Sequence, residues 1–235
     1  MTGKADRRRT ELIVALDVNT QEEALAVTEN IGDAVQWYKI GKQLFTRFGP
    51  GIVSELRSRG KKVFLDLKFH DIPNTVAQAV RSAAAIGADM TNVHAAGGPS
   101  MLRAAAEAAN ETGLLCIAVT VLTSLDREEL EAVGVHSNPA EQVARLGKLT
   151  RKCGLPGVVC SAREIVLLRE TCGDSFTLVV PGIRPAGADK GDQKRVMTPG
   201  EAAAAGADFI VVGRPIRAAD DPAAAAAAIL AELGQ

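Results

Sequence analysis

No glycine-rich GxGxxG turn follows the first apolar run of the chain, which removes the main support for a dinucleotide-binding fold. Metal-ligand spacing is missing as well. The four cysteines, Cys116, Cys153, Cys160 and Cys172, form no CxxC pair and no Cys/His cluster, so neither a zinc site nor a disulfide framework is expected, and they read as reduced, packed thiols. No apolar run reaches the roughly 18 residues a membrane span requires. The opening residues 1–10 are polar and basic and lack the apolar core of a secretory signal, so a soluble, cytoplasmic protein is expected. An excess of one charge is also absent: 27 basic residues face 28 acidic ones, for a net charge of −1. The chain therefore has no general attraction to nucleic acid or anionic membrane, and an anionic substrate would have to be met by local groups.

What is present suits one large α/β domain over residues 11–235, preceded by a disordered basic segment over 1–10 that carries Lys4, Arg7, Arg8 and Arg9. Short β-branched apolar runs recur at 12–17, 35–40, 62–67, 90–94, 115–121, 157–160, 176–181 and 209–213. Between them lie Ala-, Leu- and Glu-rich stretches of helical length, at 21–31, 73–86, 99–110, 139–153, 163–171, 199–205 and 222–233. Proline stands near the first turn at positions 73, 99, 139, 199 and 222, and glycine follows the last turn at 60, 87, 154, 173 and 206. The tripeptide Gly-Ala-Asp, at 87–89 and again at 206–208, marks the same helix-to-strand return twice. Alternating strands and helices imply right-handed crossovers and a parallel sheet. Eight such units in this length suit a closed (β/α)8 TIM barrel better than an open sheet, which would leave edges.

Polar residues at the carboxyl ends of barrel strands line the mouth where such folds carry their chemistry. Walking those ends gives Asp17, Lys39, Asp66, Lys68, Asp71, His94, Thr120, Thr123, Ser161, Arg184 and Arg214. The segment Asp66-Leu67-Lys68-Phe69-His70-Asp71 is the sharpest. Strand alternation puts Phe64, Asp66 and Lys68 on one face, and the backbone repeat sets the carboxylate and the ammonium about 7 Å apart. With Lys39 from the next strand, two carboxylates bracketing a lysine can form an alternating array of charge that keeps Lys68 protonated, suited to donating a proton rather than forming a Schiff base. An isolated DxK would be a simple ion pair; the company of Lys39 and Asp17 at a barrel mouth favours chemistry.

A second constellation follows strands seven and eight: Pro181-Gly182-Ile183-Arg184-Pro185 and Gly213-Arg214-Pro215. Barrels commonly bind phosphate with these two loops, and Arg214 supplies a charged fork. The polar, glycine-bearing stretch 186–195 is expected to close over a bound phosphate as a lid. His94 could act in acid/base chemistry, but a strand-end imidazole held by a backbone hydrogen bond is the favoured reading, and Trp37 is expected to serve packing. Thr123 is open between a hydrogen bond to a ring amide and a helix cap.

These residues resemble the orotidine 5′-phosphate decarboxylase family. The matching stretches, in order, are LDV at 16–18, YKIG at 38–41, DLKFHDIPNT at 66–75, NVHAAGG at 92–98, VTVLTS at 119–124, PGIRP at 181–185, GDQKR at 191–195 and VVGRP at 211–215. The resemblance implies that Lys68 protonates the C6 carbanion left when CO₂ departs, within an array of Lys39, Asp66, Lys68 and Asp71, with no thiamine, pyridoxal phosphate or metal. It further implies ribose contacts from Asp17 and Lys39, a pyrimidine contact from Thr123, and a lid residue, Gln193, bridging base and phosphate. Arg184, Gly213 and Arg214 would surround the phosphate. Asn74 is counted with the substrate contacts, and Asp71 and Thr75 would reach across the interface of a homodimer.

Two other readings stay in view. One is a metal-assisted sugar-phosphate decarboxylase or aldolase-type lyase, which would want further carboxylates near the DxK segment where this chain has Lys39. The other is a non-catalytic nucleotide-phosphate binding protein, against which the full Lys/Asp set argues.

Overall fold

Side-chain chemistry sets where the helices begin. Asn138 with Glu141, and Thr198 with Glu201, form reciprocal capping boxes immediately before Pro139 and Pro199, while Asp221 accepts from the Ala224 amide before Pro222. Each such cap is worth about 1 kcal/mol. The computed structural model describes residues 9–185 and 197–235. In chain order the elements are β1 (Glu11–Ala15), α1 (Gln21–Ile31), β2 (Trp37–Gly41), α2 (Lys42–Phe48), α3 (Gly51–Ser58), β3 (Lys62–Phe69), α4 (Pro73–Ala85), β4 (Met90–His94), α5 (Gly98–Thr112), β5 (Leu115–Val119), α6 (Arg127–Ala132), α7 (Pro139–Lys152), β6 (Gly157–Val159), α8 (Ile165–Cys172), β7 (Thr177–Pro181), α9 (Pro199–Ala205), β8 (Phe209–Val212), α10 (Arg214–Arg217) and α11 (Pro222–Glu232). The strands are parallel, and β1 pairs with both β2 and β8, so the sheet closes into the expected (β/α)8 barrel with no free edge.

The expected strands and helices agree with these to within a few residues. Two crossovers are more elaborate than the sequence reading: β2 returns to β3 through two helices, because Gly49-Pro50 interrupts what would otherwise be one, and β5 returns to β6 through the short α6 as well as the expected helix that starts at Pro139. At the amino terminus Thr10 is already part of the fold; it is buried, and its hydroxyl donates to the Ala207 carbonyl. Residues 1–8 of the basic segment lie outside the described residues.

Strand alternation divides the apolar residues into two cores. Ile13, Ala15, Trp37, Phe64, Met90, Ile117, Val179, Phe209 and Val211 fill the barrel interior, whereas Val14, Tyr38, Ile40, Val63, Leu65 and Val93 face the helices. Trp37 serves packing, as expected: it meets Phe209 edge to face with ring centroids 5.4 Å apart, and its indole N–H donates to Glu11. The four cysteines are free and buried, and burial pushes the Cys116 thiol up to about 12.

The two Gly-Ala-Asp returns do the same work half a barrel apart. Gly87 and Gly206 take positive φ, 93° and 107°. Asp89 then accepts from the Val63 amide and pairs with Arg57, while Asp208 accepts from the Leu178 amide and pairs with Arg169. Each carboxylate thus joins the start of one strand to the helix preceding its neighbour.

Between β3 and β4 the ladder is irregular. Leu65 faces Thr91 and Phe69 faces Val93, so β3 takes four residue steps where β4 takes two. This bulge carries Asp66, Leu67 and Lys68, and Lys68 adopts φ 55°, the one positive φ at a non-glycine residue among the described residues.

Candidate active site

Above the apolar plug, the next inward positions are polar. Ala15 is level with Lys39, and Gly41 is level with Asp66; Asp17 follows two residues after Ala15. Gly41 leaves a gap at its level, since a Cβ there would lie 2.8 Å from Asp17 Oδ1 and 3.0 Å from Lys39 Nζ. The lysine tip occupies that space. Its Nζ is 2.8 Å from Asp17 Oδ1 and 3.5 Å from Asp66 Oδ2, and Lys68 Nζ is 2.5 Å from Asp66 Oδ1. The result is an unbroken run of alternating charge, Asp17–Lys39–Asp66–Lys68, drawn from the ends of three strands.

Lys39 and Asp66 are 8% and 9% exposed, so the centre of this run is withdrawn from water, while Asp17 and Lys68 reach toward the mouth. Burial is the largest influence on the Asp66 carboxyl and pushes its pKa up. The ammonium groups of Lys39 and Lys68, with hydrogen bonds from Lys68 and Asn92, together outweigh burial and hold it below the usual carboxylate range. His94 is held below the usual imidazole range, by burial first and then by the proximity of His70, Lys42 and Lys68.

A cavity of about 180 Å³ opens over this array. Lys39, Asp66, Lys68 and Asn92 line one side; Val119, Val159, Val179 and Val211 face them, and Val121, Leu122 and Thr123 lie at the β5 end. A planar ring entering the mouth would therefore have fixed charges on one side and a dry wall on the other.

The expected residues divide by place. Asp17, Lys39, Asp66 and Lys68 converge on one another, and Thr123 lines the cavity. Gly182–Arg184 and Gly213–Arg214 end adjacent strands, with Pro181 level with Val211, so the two loops stand side by side as expected (residues 182–184 and 213–214). Arg184 is buried, with its guanidinium donating to the Ile183 carbonyl, whereas Arg214 is exposed at the start of α10. Asp71, Asn74 and Thr75 are exposed at the rim around the start of α4 and do not line the cavity; Asp71 accepts from the Ile72 amide. Gln193 lies outside the described residues.

Three strand-end residues have other employment. The Thr120 hydroxyl donates to the Val159 carbonyl, and Ser161 caps the turn before α8. The backbone hydrogen bond expected for His94 is not found among the described residues; its ring lies against that of His70 instead, centroids 5.5 Å apart. No group of three or more His, Cys, Asp or Glu side chains among the described residues is placed to hold a metal ion, and no described helix is long and apolar enough to cross a membrane.

A family model described as "Orotidine 5'-phosphate decarboxylase / HUMPS family" matches residues 10–229. The chain belongs to the orotidine 5′-phosphate decarboxylase / HUMPS family. Two relatives, each named orotidine 5′-phosphate decarboxylase, are 53% identical to it. That of Vibrio parahaemolyticus serotype O3:K6 (strain RIMD 2210633) aligns over 91% of this chain and 93% of its own, and that of Enterobacter sp. (strain 638) over 95% and 92%. Among solved structures, orotidine 5′-phosphate decarboxylase from Lactobacillus acidophilus superimposes with a TM-score of 0.86 at 38% identity, covering 98% of this chain and all of that one. An uncharacterized conserved protein from Geobacillus kaustophilus gives 0.83 at 40% identity, covering 94% and 99%.

Membership in the orotidine 5′-phosphate decarboxylase / HUMPS family spans every strand of the barrel, so the charge array falls within it and the two loops that follow β7 and β8 begin within it. Two residues of the array escaped the sequence reading of its chemistry. Gly41 makes room for the Lys39 ammonium, and Asn92, fully buried on β4, binds Asp66 directly. Both lie inside stretches that carry the family resemblance, YKIG and NVHAAGG, yet neither residue type draws attention alone.

Proposed function

We propose that this chain decarboxylates orotidine 5′-monophosphate to uridine 5′-monophosphate without an added cofactor, acting as a carboxy-lyase in pyrimidine nucleotide synthesis. The observation that carries this reading is the run Asp17–Lys39–Asp66–Lys68, buried at its centre and converging on one cavity at the barrel mouth. The reaction breaks the bond between C6 and the carboxylate, leaves the electron pair on C6, and releases CO₂. The pyrimidine ring delocalises that pair poorly, so fixed charge must stabilise it. The Lys68 ammonium, held against Asp66 in a water-poor site, does so and then passes a proton from Nζ to C6. The acid array needs no rearrangement during the step, which is where a preorganised site gains over water.

Asp17 and Lys39 are proposed to hold the ribose, Thr123 the pyrimidine, and Arg184, Gly213 and Arg214 the phosphate, with Gln193 and Asn74 as further contacts. Binding energy from the phosphate, remote from the reacting carbon, then supports the chemical step. Asp71 and Thr75 are proposed to complete the site of a second copy in a homodimer. Their exposure at the rim, beside Ile72 at 66% exposed, fits that role. A metal-assisted lyase is less well supported, because Lys39 and Lys68 already neutralise the carboxylates that such an ion would need.

The test follows orotidine 5′-monophosphate absorbance with protein treated with EDTA, comparing wild type with Lys68→Ala. Turnover is expected in the first, and a fall on the order of 10³-fold or more in the second, with nucleotide affinity retained. Wild-type protein inert toward this substrate, or active only with added divalent metal, would overturn the proposal.

A further inference from the structure

We infer that Asn92 is a positioning residue for the decarboxylation, its one side-chain amide fixing both the Asp66 carboxylate and the backbone that presents Lys68. The inference rests on the decarboxylase reading above and names a residue through which that site is held in shape.

The geometry arises from the bulge in β3. Where β3 takes its extra residues against β4, the Lys68 amide loses a regular strand partner, and the residue adopts φ 55°, a conformation that residues other than glycine rarely take. Asn92, between the paired residues Thr91 and Val93, fills the gap with its side chain. The Lys68 N–H donates to Asn92 Oδ1 at 2.8 Å, and Asn92 Nδ2 donates to Asp66 Oδ1 at 2.7 Å. The partners dictate the orientation of the amide, since a backbone N–H requires an acceptor and a carboxylate requires a donor. Asp66 Oδ1 also accepts from Lys68 Nζ. Asn92, Asp66 and Lys68 therefore close a ring, amide to carboxylate to ammonium and back through the Lys68 main chain.

At 1% exposure Asn92 is shut off from water, so solvent cannot replace either bond. Only a planar side chain with a donor and an acceptor side by side satisfies both partners. Aspartate keeps the acceptor but turns a second anion on Asp66, alanine offers neither group, and serine has a single oxygen where two atoms are needed. The ionisable groups facing Asp66 are Lys39 from β2 with Asp17 behind it, Lys68 from β3, and His94 from β4. None can take over the lost amide, because none also meets the Lys68 backbone.

The experiment measures kcat, KM and the pH dependence of kcat on orotidine 5′-monophosphate for wild type and Asn92→Asp, with affinity for uridine 5′-monophosphate as the binding readout. Asn92→Asp is expected to lower kcat on the order of 100-fold, the cost of about 1 Å of misplacement in a catalytic group, while KM and product affinity stay near wild type. The acid limb is expected to move to higher pH, because a carboxyl that loses a donor and gains a neighbouring anion takes up its proton earlier as pH falls. A residue that merely supports the fold would lower the melting temperature and leave both kcat per folded molecule and the acid limb unchanged; that result overturns the inference. Should Asn92→Asp fail to fold, Asn92→Ser is read in the same way, with wild-type kcat again the overturning result. Wild-type protein without turnover removes the decarboxylase reading and this inference with it, whereas an active wild type matched by its variants removes the inference alone.

Discussion

At Gly41 the backbone is extended, with φ −90° and ψ 178°, so the position does not need glycine for its conformation. It needs glycine for space: an added Cβ meets Asp17 Oδ1 and Lys39 Nζ, both at the ends of flexible side chains. Gly41→Ala is therefore expected to shift the melting temperature by no more than about 2–4 °C, the equivalent of roughly 1 kcal/mol. The side chains yield by leaving their ion pair, so kcat/KM is expected to fall on the order of 100-fold. Thermal melts beside steady-state kinetics check this, and an alanine variant with wild-type kcat/KM would contradict it. Asp66 and Lys68 were legible from sequence because their spacing and charge carry the signal themselves. Gly41 and Asn92 were not, because each owes its role to the register of a neighbouring strand, and a small residue or an amide inside an apolar run announces nothing about what lies across from it.

Among the elements, the strand starts are held by the aspartates of the repeated Gly-Ala-Asp return. The Asp208–Arg169 pair is the more enclosed, with side chains 17% and 14% exposed, and Arg169 also donates to the carbonyls of Gly206, Phe176 and Asp174. Removing Asp208 would strand a cation among these groups and leave the Leu178 amide without its carboxylate. Asp208→Ala is expected to cost about 3 kcal/mol in urea unfolding. Asp89→Ala, whose partner Arg57 is 42% exposed and can turn to water, is expected to cost about 1–2 kcal/mol. Equal losses would refute the argument from enclosure. The sequence made the repeat visible as punctuation, and the helix starts were readable from Pro and capping residues. The split crossover between β2 and β3 and the bulge in β3 were harder to see. The first turns on a single Gly-Pro step, and the second on pairing between strands, to which periodicity within one strand is blind.

For the molecule as a whole, ring closure leaves no strand edge to recruit a partner, so association must use side-chain surfaces such as the rim where Asp71, Ile72 and Thr75 are exposed. If that rim completes the neighbouring subunit's site, Lys68→Ala and Asp71→Ala will each be inactive alone. Mixed and re-equilibrated in equal amounts, they are expected to recover about a quarter of wild-type activity, since half the dimers are hybrid and each hybrid holds one intact site. No recovery, or an Asp71→Ala variant as active as wild type, would show that each barrel works by itself.

The irregular ladder at β3 has one more consequence, for how the gene can change. Ordinary barrel strands can exchange side chains freely while keeping their length, but this one encodes its chemistry in length too. Losing a single codon between Leu65 and Phe69 would swing an acid or a base round to the helical side. Over evolutionary time the stretch should accept substitutions at Leu67 well before it accepts any insertion or deletion.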